Sequence, residues 1–175
     1  MSSIPWTHDT HDAVVADWQE NAEDRDDENY RFLRSLKLRP PEKVDRIAQE
    51  LHREAFGIVD CTKCANCCRT LRPPVTEADV ARIATHLGIT EQDFIAAYLM
   101  RDTEGGGYSI NAKPCPFLGD DNLCKIYDVR PEKCLGYPYT DKAEFAFMTM
   151  THASNAVTCP AVFHVVEGMK KRLRQ

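Results

Sequence analysis

The sequence predicts a mainly α-helical fold with irregular, cysteine-rich loops. Apolar residues recur at helical spacing along most of the 175-residue chain, and only Tyr108–Ile110 has the pattern of a short strand. Eight cysteines are present, four of them within the eight residues Cys61–Cys68. Thiols at such spacing are typical of metal-binding loops. We therefore expect a small, cysteine-rich, metal-centred domain whose loops wrap around the metal.

Composition limits the domain count and the classes of partner. A chain of this length fits one domain, or one domain with an extension, and its hydrophobic fraction of 43% allows a real core. The net charge of −5 argues against a nucleic-acid binder, which would carry a clustered basic face. Neither a membrane-spanning stretch nor a secretory signal is found. We expect a cytoplasmic protein with no nucleic-acid or membrane partner.

The first part of the chain is predicted to be a helical extension. A helical pattern begins near Asp12, is interrupted by the acidic run 23–28 and resumes with an apolar face that includes Leu33. Two consecutive prolines then end this part. We predict a helical N-terminal extension over residues 1–40 and a cysteine-cluster metal-binding domain over residues 41–175.

The predicted second domain begins and ends with a helix. Pro41 is placed to begin a helix that Gly57 would end. From Ser154 the chain is predicted to form a final helix, with Pro160 near its first turn. Between Gly57 and the next helix, the run of cysteines leaves no room for regular structure.

Two further helices are predicted between the cysteine segments. Thr76 and Thr90 each precede an aspartate by three positions, as in a capping box, and apolar residues follow at helical spacing. Gly88 is placed to end the first of these helices. We expect the pair to form a helical hairpin that covers the metal site.

The cysteines are predicted to bind metal rather than to form disulfides. In a reducing compartment thiols are more often metal-binding or catalytic, and the adjacent Cys67 and Cys68 would strain the peptide between them if they were bonded to each other. Eight thiolates supply two four-coordinate sites, or one such site and spare thiols. The sequence leaves this partition open. The predicted metal and cofactor ligands are Cys61, Cys64, Cys67, Cys68, Cys115, Cys124, Cys134 and Cys159.

Spacing favours iron over zinc. Cys61, Cys64 and Cys67 repeat the C-x-x-C-x-x-C spacing of bacterial ferredoxins, but Cys68 follows immediately and the Cys-Pro steps are remote. The ferredoxin fold is therefore disfavoured, while the ligand pattern of a [4Fe-4S] cluster remains. Zinc held by four cysteines is the alternative. The two histidines that flank Cys159 are left out, because eight cysteines already fill two tetrahedral shells.

The order of the motifs resembles a known family. C-x-x-C-x-x-C-C is followed by Cys-Pro-Phe-Leu at 115–118, Cys-x-Ile-Tyr at 124–127, Arg-Pro-x-x-Cys at 130–134 and Tyr-Pro at 137–138. Over roughly residues 58–160 the chain resembles the CxxCxxCC family of zinc- or iron-chelating domains, the YkgJ-like cysteine-cluster proteins. The resemblance implies metal chelation, with an iron–sulfur cluster preferred. Flagellin lysine N-methylases carry a similar cysteine cluster, which implies an accessory role in protein modification as a further possibility.

Three functions follow from these observations. The leading hypothesis is an iron–sulfur protein, with a 4Fe-4S cluster as the expected form, that acts as an electron-transfer, sensing or assembly module. Its protein or redox partner is not identified by the sequence. The second is a protein-modifying enzyme, or its accessory subunit, that uses the metal centre. The third is an interaction protein with structural zinc. No residue is assigned a catalytic role.

Overall fold

The computed structural model describes residues 10–101 and 106–173, and it confirms a mainly helical fold with a small sheet. The chain forms two compact units. The first, here called the helical unit, comprises the chain up to Cys64 together with the part from Pro138 onward. The second, the inserted unit, is Ala65–Tyr137. The predicted division into 1–40 and 41–175 stays a prediction, and its first nine residues lie outside the described part.

The helical unit is built around its last helix. Its α-helices are α1 His11–Asn21, α2 Asp26–Ser35, α3 Pro41–Ile58, α4 Cys61–Cys64, α9 Thr149–Thr158 and α10 Pro160–Leu173, with 3₁₀ turns at Leu36–Leu38 and Phe145–Phe147. Helix α10 is buried on nearly all sides and along most of its length. Such a helix belongs in the centre of a core, and α1, α2, α3 and α9 all pack against it.

Close helix packing explains two side chains in this core. Leu51 of α3 is fully buried and lies against Gly168 of α10, where an added Cβ would come within 2.7 Å of the Leu51 Cδ2 atom. The glycine therefore allows the two helices to approach closely. Trp18 of α1 donates its indole N–H to the carbonyls of Ala156 and Val157, each at 3.1 Å. These contacts make α1 part of the packed helical unit.

The final helix differs from the prediction because of Pro160. The sequence predicts one helix from Ser154, whereas two helices are present, and Cys159 between them has an extended conformation (φ −126°, ψ 117°). Proline lacks an amide hydrogen and disfavours helical backbone in the residue before it. Pro160 therefore ends α9 and begins α10.

The inserted unit contains a small sheet, a helical hairpin and short turns. Its elements are α5 Asn66–Thr70, β1 Pro74–Val75, α6 Glu77–Leu87, α7 Glu91–Tyr98, β2 Leu99–Arg101, β3 Tyr108–Ile110, a 3₁₀ turn Tyr127–Val129 and α8 Glu132–Gly136. Strand β3 lies between β1 and β2 and pairs antiparallel with both, with Val75 opposite Tyr108 and Leu99 opposite Ile110. Strands β1 and β2 were not predicted, since two or three residues are too few to give a pattern.

The predicted caps of the helical hairpin are present. Thr76 and Asp79 form a reciprocal capping box at the start of α6, and Thr90 accepts a hydrogen bond from the Asp93 amide at the start of α7. Gly88 ends α6 in the left-handed region at φ 68°. The hairpin packs its apolar face onto Phe117 and Ile126 in the core of this unit.

The cysteine run is more regular than predicted. It forms the two one-turn helices α4 and α5, separated by Ala65 in the left-handed conformation (φ 48°, ψ 15°). Asp60 organises the first turn, because its carboxylate accepts the Thr62 amide at 2.9 Å and its carbonyl accepts the Cys64 amide at 3.2 Å. Within the described ranges, no helix has both the length and the hydropathy needed to span a bilayer.

Candidate metal centre

The structure distributes the eight predicted ligands between the two units, and none of these eight described cysteines forms a disulfide. Three belong to the helical unit, here called the three-thiol set: Cys61, Cys64 and Cys159. Five belong to the inserted unit, and four of these form what we call the four-thiol set: Cys68, Cys115, Cys124 and Cys134. The fifth is Cys67, which lies beside Cys68 on α5.

Backbone hydrogen bonds tie three members of the four-thiol set together. The Cys115 amide donates to the Cys68 carbonyl at 2.8 Å, which joins α5 to the segment after β3. Cys124 is held on the opposite arm of a tight turn, through a bridge with Leu118 and a 2.8 Å bond from the Lys125 amide to the Phe117 carbonyl. The two arms of this turn therefore present Cys115 and Cys124 side by side.

Asp79 positions the helix that carries the fourth thiol. Its buried carboxylate caps α6, accepts a hydrogen bond from Arg82 at 2.6 Å and accepts the Glu132 amide at 3.2 Å. Glu132 begins α8, on which Cys134 lies. Arg82 also donates to the Arg130 carbonyl at 3.1 Å. Asp79, directly and through Arg82, thus connects the helical hairpin to Glu132 and Arg130, in the segment that leads to Cys134.

Electrostatic interactions join every pair within the four-thiol set. Burial, together with smaller contributions from the neighbouring thiolates of Cys68, Cys115 and Cys124, raises the pKa of Cys134 to about 12. Burial also raises the pKa of Cys115, and the charges of Cys68 and Cys124 contribute to it. The pKa of Cys124 is raised by burial and by the charge of Cys68. All six pairs are therefore close enough for their charges to interact.

Two neighbours favour negative charge in this set. A hydrogen bond from the Cys67 thiol lowers the pKa of Cys68 to about 7, with a smaller contribution from the charge of Arg69. Arg130 lowers the pKa of both Cys124 and Cys134 against the effect of burial. Its guanidinium lies 3.8 Å from the centroid of the Tyr127 ring and donates to the Tyr127 carbonyl at 2.6 Å. Arg130 is thus held where it offsets thiolate charge.

In the three-thiol set, burial dominates at Cys159. The amides of Val162 and Ala161 at the start of α10 donate to this sulfur and favour the thiolate, as expected from its place before a helix. Burial nevertheless, with smaller contributions from the charges of Cys61 and Cys64, raises its pKa to about 12. At this sulfur, the effect of desolvation is therefore larger than that of the helix N-terminus.

The donor set fits a thiophilic metal, although the side chains are not already gathered around one point. Sulfur is the ligand atom of iron–sulfur clusters and of four-cysteine zinc sites. Within residues 10–101 and 106–173, no group of three or more histidine, cysteine or acidic side chains is arranged to hold an ion.

The two histidines left out of the predicted ligand set lie in the core of the helical unit. His152 stacks on Phe145, with ring centroids 3.8 Å apart. His164 is buried, and its Nε2 atom lies 3.2 Å from the Val14 carbonyl and 3.6 Å from the Asp17 carboxylate. These contacts give both residues a structural role.

Sequence reasoning missed what Asp79 does beyond its cap. The capping box was recognised, but the bonds from Asp79 to Arg82 and Glu132 join residues that are 3 and 53 positions apart in the chain. Apolar side chains also lie against two thiols of the four-thiol set. Phe117 and Ile126 are buried beside Cys115 and Cys124, whereas Tyr127 is 61% exposed.

Comparison with known proteins agrees with this cysteine pattern. The family model CxxCxxCC, described as "Putative zinc- or iron-chelating domain", matches residues 60–159, more than half of the chain. "Uncharacterized protein MJ0661" of Methanocaldococcus jannaschii is 34% identical over 100 residues, which cover 53% of this chain and 50% of that protein. The chain thus spans about half the length of this curated relative. No solved structure matches the chain.

Proposed function

Because the chain belongs to the CxxCxxCC family, whose members are described as zinc- or iron-chelating, we propose that it is an iron–sulfur protein. Its cysteines would hold the cluster, and it would act in electron transfer, sensing or cluster assembly. The proposal assumes a reducing compartment, in which thiols stay free for metal. The cytoplasmic location stays a prediction.

One observation carries the proposal. The inserted unit brings four thiols into mutual electrostatic contact, and four thiolates are the ligand set of a [4Fe-4S] cluster. Zinc accepts the same set. Iron is preferred because the C-x-x-C-x-x-C run that begins at Cys61 is typical of clusters.

The surrounding residues have defined tasks in this proposal. Phe117 and Ile126 exclude water from one side of Cys115 and Cys124, which lowers the local dielectric constant. Arg130 offsets part of the negative charge of the thiolates. Asp79 fixes the segment that carries Arg130 and Cys134. A bound cluster would supply reversible one-electron chemistry, with a potential that depends on charge, hydrogen bonding and solvent exposure.

The test is the composition of protein purified without exposure to air. Iron and acid-labile sulfide in equal amounts, with a brown colour that is bleached by dithionite, are expected. Colourless protein with stoichiometric zinc and no sulfide would reject the iron–sulfur proposal and leave a structural zinc protein.

A protein-modifying enzyme, or its accessory subunit, is the second candidate. The helical unit contributes three thiols, and catalytic metal sites typically have three protein ligands and an open position. Cys61 is exposed, so a centre held by this set would be accessible from solvent. The candidate predicts that an added small thiol changes the spectrum of the metal-loaded protein. An unchanged spectrum at saturating thiol would argue against an open position.

A further inference from the structure

We propose that a groove between α2 and α9 of the helical unit binds a basic, amphipathic helix of a partner protein. The groove has a volume of about 490 Å³. Its lining combines apolar side chains with two carboxylates: Tyr30, Met150, Ala153 and Val157, with Asp26 and Asp27. The inference goes beyond the proposed function, because it concerns a protein partner and depends on no metal ligand.

The two walls of the groove belong to one packed pair of helices. Helix α9 lines it from Met150 to Thr158, a length of about 12 Å at 1.5 Å per residue, and α2 contributes its first turn and Tyr30. The two helices pack against each other. Ala153 is a small residue of the core cluster of this unit, so the groove reaches down to the core.

The apolar part of this surface is unusually exposed. Met150 is 68% exposed, and Phe147, three residues earlier, is 58% exposed. Large apolar side chains exposed beside a groove are typical of a protein-binding surface, and methionine adapts its shape to different partners. Contact with an apolar helix face would remove both side chains from water, which favours association.

Two carboxylates make the groove acidic at one end. Asp26 and Asp27 begin α2, and both are exposed. Asp27 lies 3.9 Å from Arg31, and such a loose pair between largely exposed side chains contributes little. Arg25, the residue before Asp26, is bonded instead to Glu167 at 2.8 Å. The carboxylates therefore favour lysine or arginine in the partner and disfavour an anionic lipid surface.

The charges along α2 also give the partner an orientation. Arg34 lies two turns beyond Asp27, with its guanidinium 5.7 Å from the centroid of the Tyr30 ring. The helix is thus acidic at its start and basic towards its end. The basic residues of the partner belong beside the first turn of α2, because the other end would repel them.

The groove suits a helix better than an extended strand. An extended segment would bury backbone amides and carbonyls against apolar side chains that cannot bond to them, whereas a helix satisfies its own backbone. The length of about 12 Å corresponds to roughly two helical turns. Apolar side chains at positions i, i+3, i+4 and i+7 of the partner can then lie in the groove together.

Titration calorimetry with a designed peptide tests this surface in the full-length protein. The probe is a helix of leucine, alanine and lysine, about 14 residues long, with its leucines on one face. A scrambled peptide of the same composition is the control. Saturable one-to-one binding is expected, at least about 10-fold tighter than that of the scrambled peptide. No binding, or equal binding of the two peptides, would overturn the proposal.

Substitutions on both walls locate the binding site. Ser154 is exposed and lines the groove, so Ser154→Arg should weaken binding by at least about 10-fold, while Ser154→Ala should bind like the wild type. Asp26→Asn combined with Asp27→Asn should weaken it by about 5-fold. The matched control is Glu23→Gln with Asp24→Asn, a pair in the same acidic run but outside the groove lining, with little expected change. Equal weakening by both pairs would mean general charge attraction and would contradict a defined site.

A second copy of the chain is the competing occupant. Analytical ultracentrifugation should show a monomer at the concentrations used for peptide binding, both for the wild type and for Ser154→Arg. A wild-type dimer that Ser154→Arg dissociates would assign the groove to self-association and overturn the proposal. All substituted positions are exposed, and circular dichroism checks that the variants fold. If a variant does not fold, the comparison of the two peptides on the wild type still decides.

Discussion

The two units differ in what is available to stabilise them. In the described residues, the core of the helical unit contains nineteen buried apolar residues, and that of the inserted unit contains nine. The inserted unit has instead four buried or half-buried thiols that interact with one another. Segments of about 70 residues often need disulfides or a metal in addition to their core. We therefore expect metal binding to contribute more to the stability of the inserted unit, and apolar packing to contribute more to that of the helical unit.

Metal removal should have the largest effect, and it should be confined to one unit. Structural zinc contributes on the order of 10 kcal/mol of folding free energy in small metal-binding domains. Chelation under reducing conditions is therefore expected to lower amide protection in residues 65–137 by more than about 100-fold, while α3 and α10 stay protected. Hydrogen exchange with mass spectrometry measures both. Equal loss of protection in both units would break the comparison.

Leu51→Ala should destabilise the helical unit. The side chain is fully buried against Gly168, so its removal leaves a cavity that costs about 4 kcal/mol. Chemical denaturation followed by circular dichroism measures the loss, and Leu38→Ala, at a position that is 90% exposed, is the control with little expected change. In Leu51→Ala, added Co²⁺ should still protect the thiols of the four-thiol set from alkylation. Loss of this protection would show that the two units are not independent.

Acid should weaken the helical unit through His152. Burial lowers the pKa of this residue from 6.5 to about 4. Above pH 6.5 the imidazole is neutral in both states, and its contribution to stability is complete. As the pH falls from 6.5 towards 4, the unfolded chain binds a proton that the folded chain does not, so the free energy of unfolding decreases. The loss reaches about 3 kcal/mol, since one pKa unit corresponds to about 1.4 kcal/mol.

The measurement is the pH dependence of unfolding in urea, compared with His152→Leu. The variant should lose less stability than the wild type between pH 6.5 and 4. Parallel curves for the two proteins would mean that His152 is not the group responsible. The leucine also tests the packing against Phe145, because it keeps an apolar side chain at this position.

Arg130→Gln should have the smallest effect, and only on the inserted unit. Loss of the positive charge near Cys124 and Cys134 is expected to weaken Co²⁺ binding by a few-fold at low salt, with a smaller change at high salt because ions screen the interaction. Arg130→Lys is the control that keeps the charge. Competition with a chelator measures the affinity. Equal affinities for the two variants would assign Arg130 a packing role on Tyr127.

The elements predicted correctly are those whose signals are local. The capping residue Thr76, the stop at Gly88 and the start at Pro41 each act within one helical turn, so they can be recognised without knowledge of the fold. The strand Tyr108–Ile110 was also predicted, although its partners were not. The break at Pro160 is a local signal that the prediction placed inside a helix rather than between two.

The division of the chain into units depends on contacts that are remote in sequence. The bond between Asp79 and the Glu132 amide joins positions 53 residues apart, and Trp18 donates to a carbonyl 138 residues away. No periodicity encodes such pairs. The boundary inside the cysteine run is equally hidden, because Ala65 is not a residue type that favours its left-handed conformation. The cysteines could be recognised in the sequence as candidate metal ligands, but their distribution between the two units could not.

The helical unit is formed by two stretches of chain that the inserted unit separates, and this order has a consequence for biosynthesis. Helices α1 to α3 are translated before the inserted unit, whereas α10, the helix at the centre of their core, is translated after it. All of Ala65–Tyr137 therefore leaves the ribosome before that core can close, at a rate of about 5–20 residues per second. During this interval the nascent inserted unit can acquire its ion, while the earlier helices still await the partner that completes them.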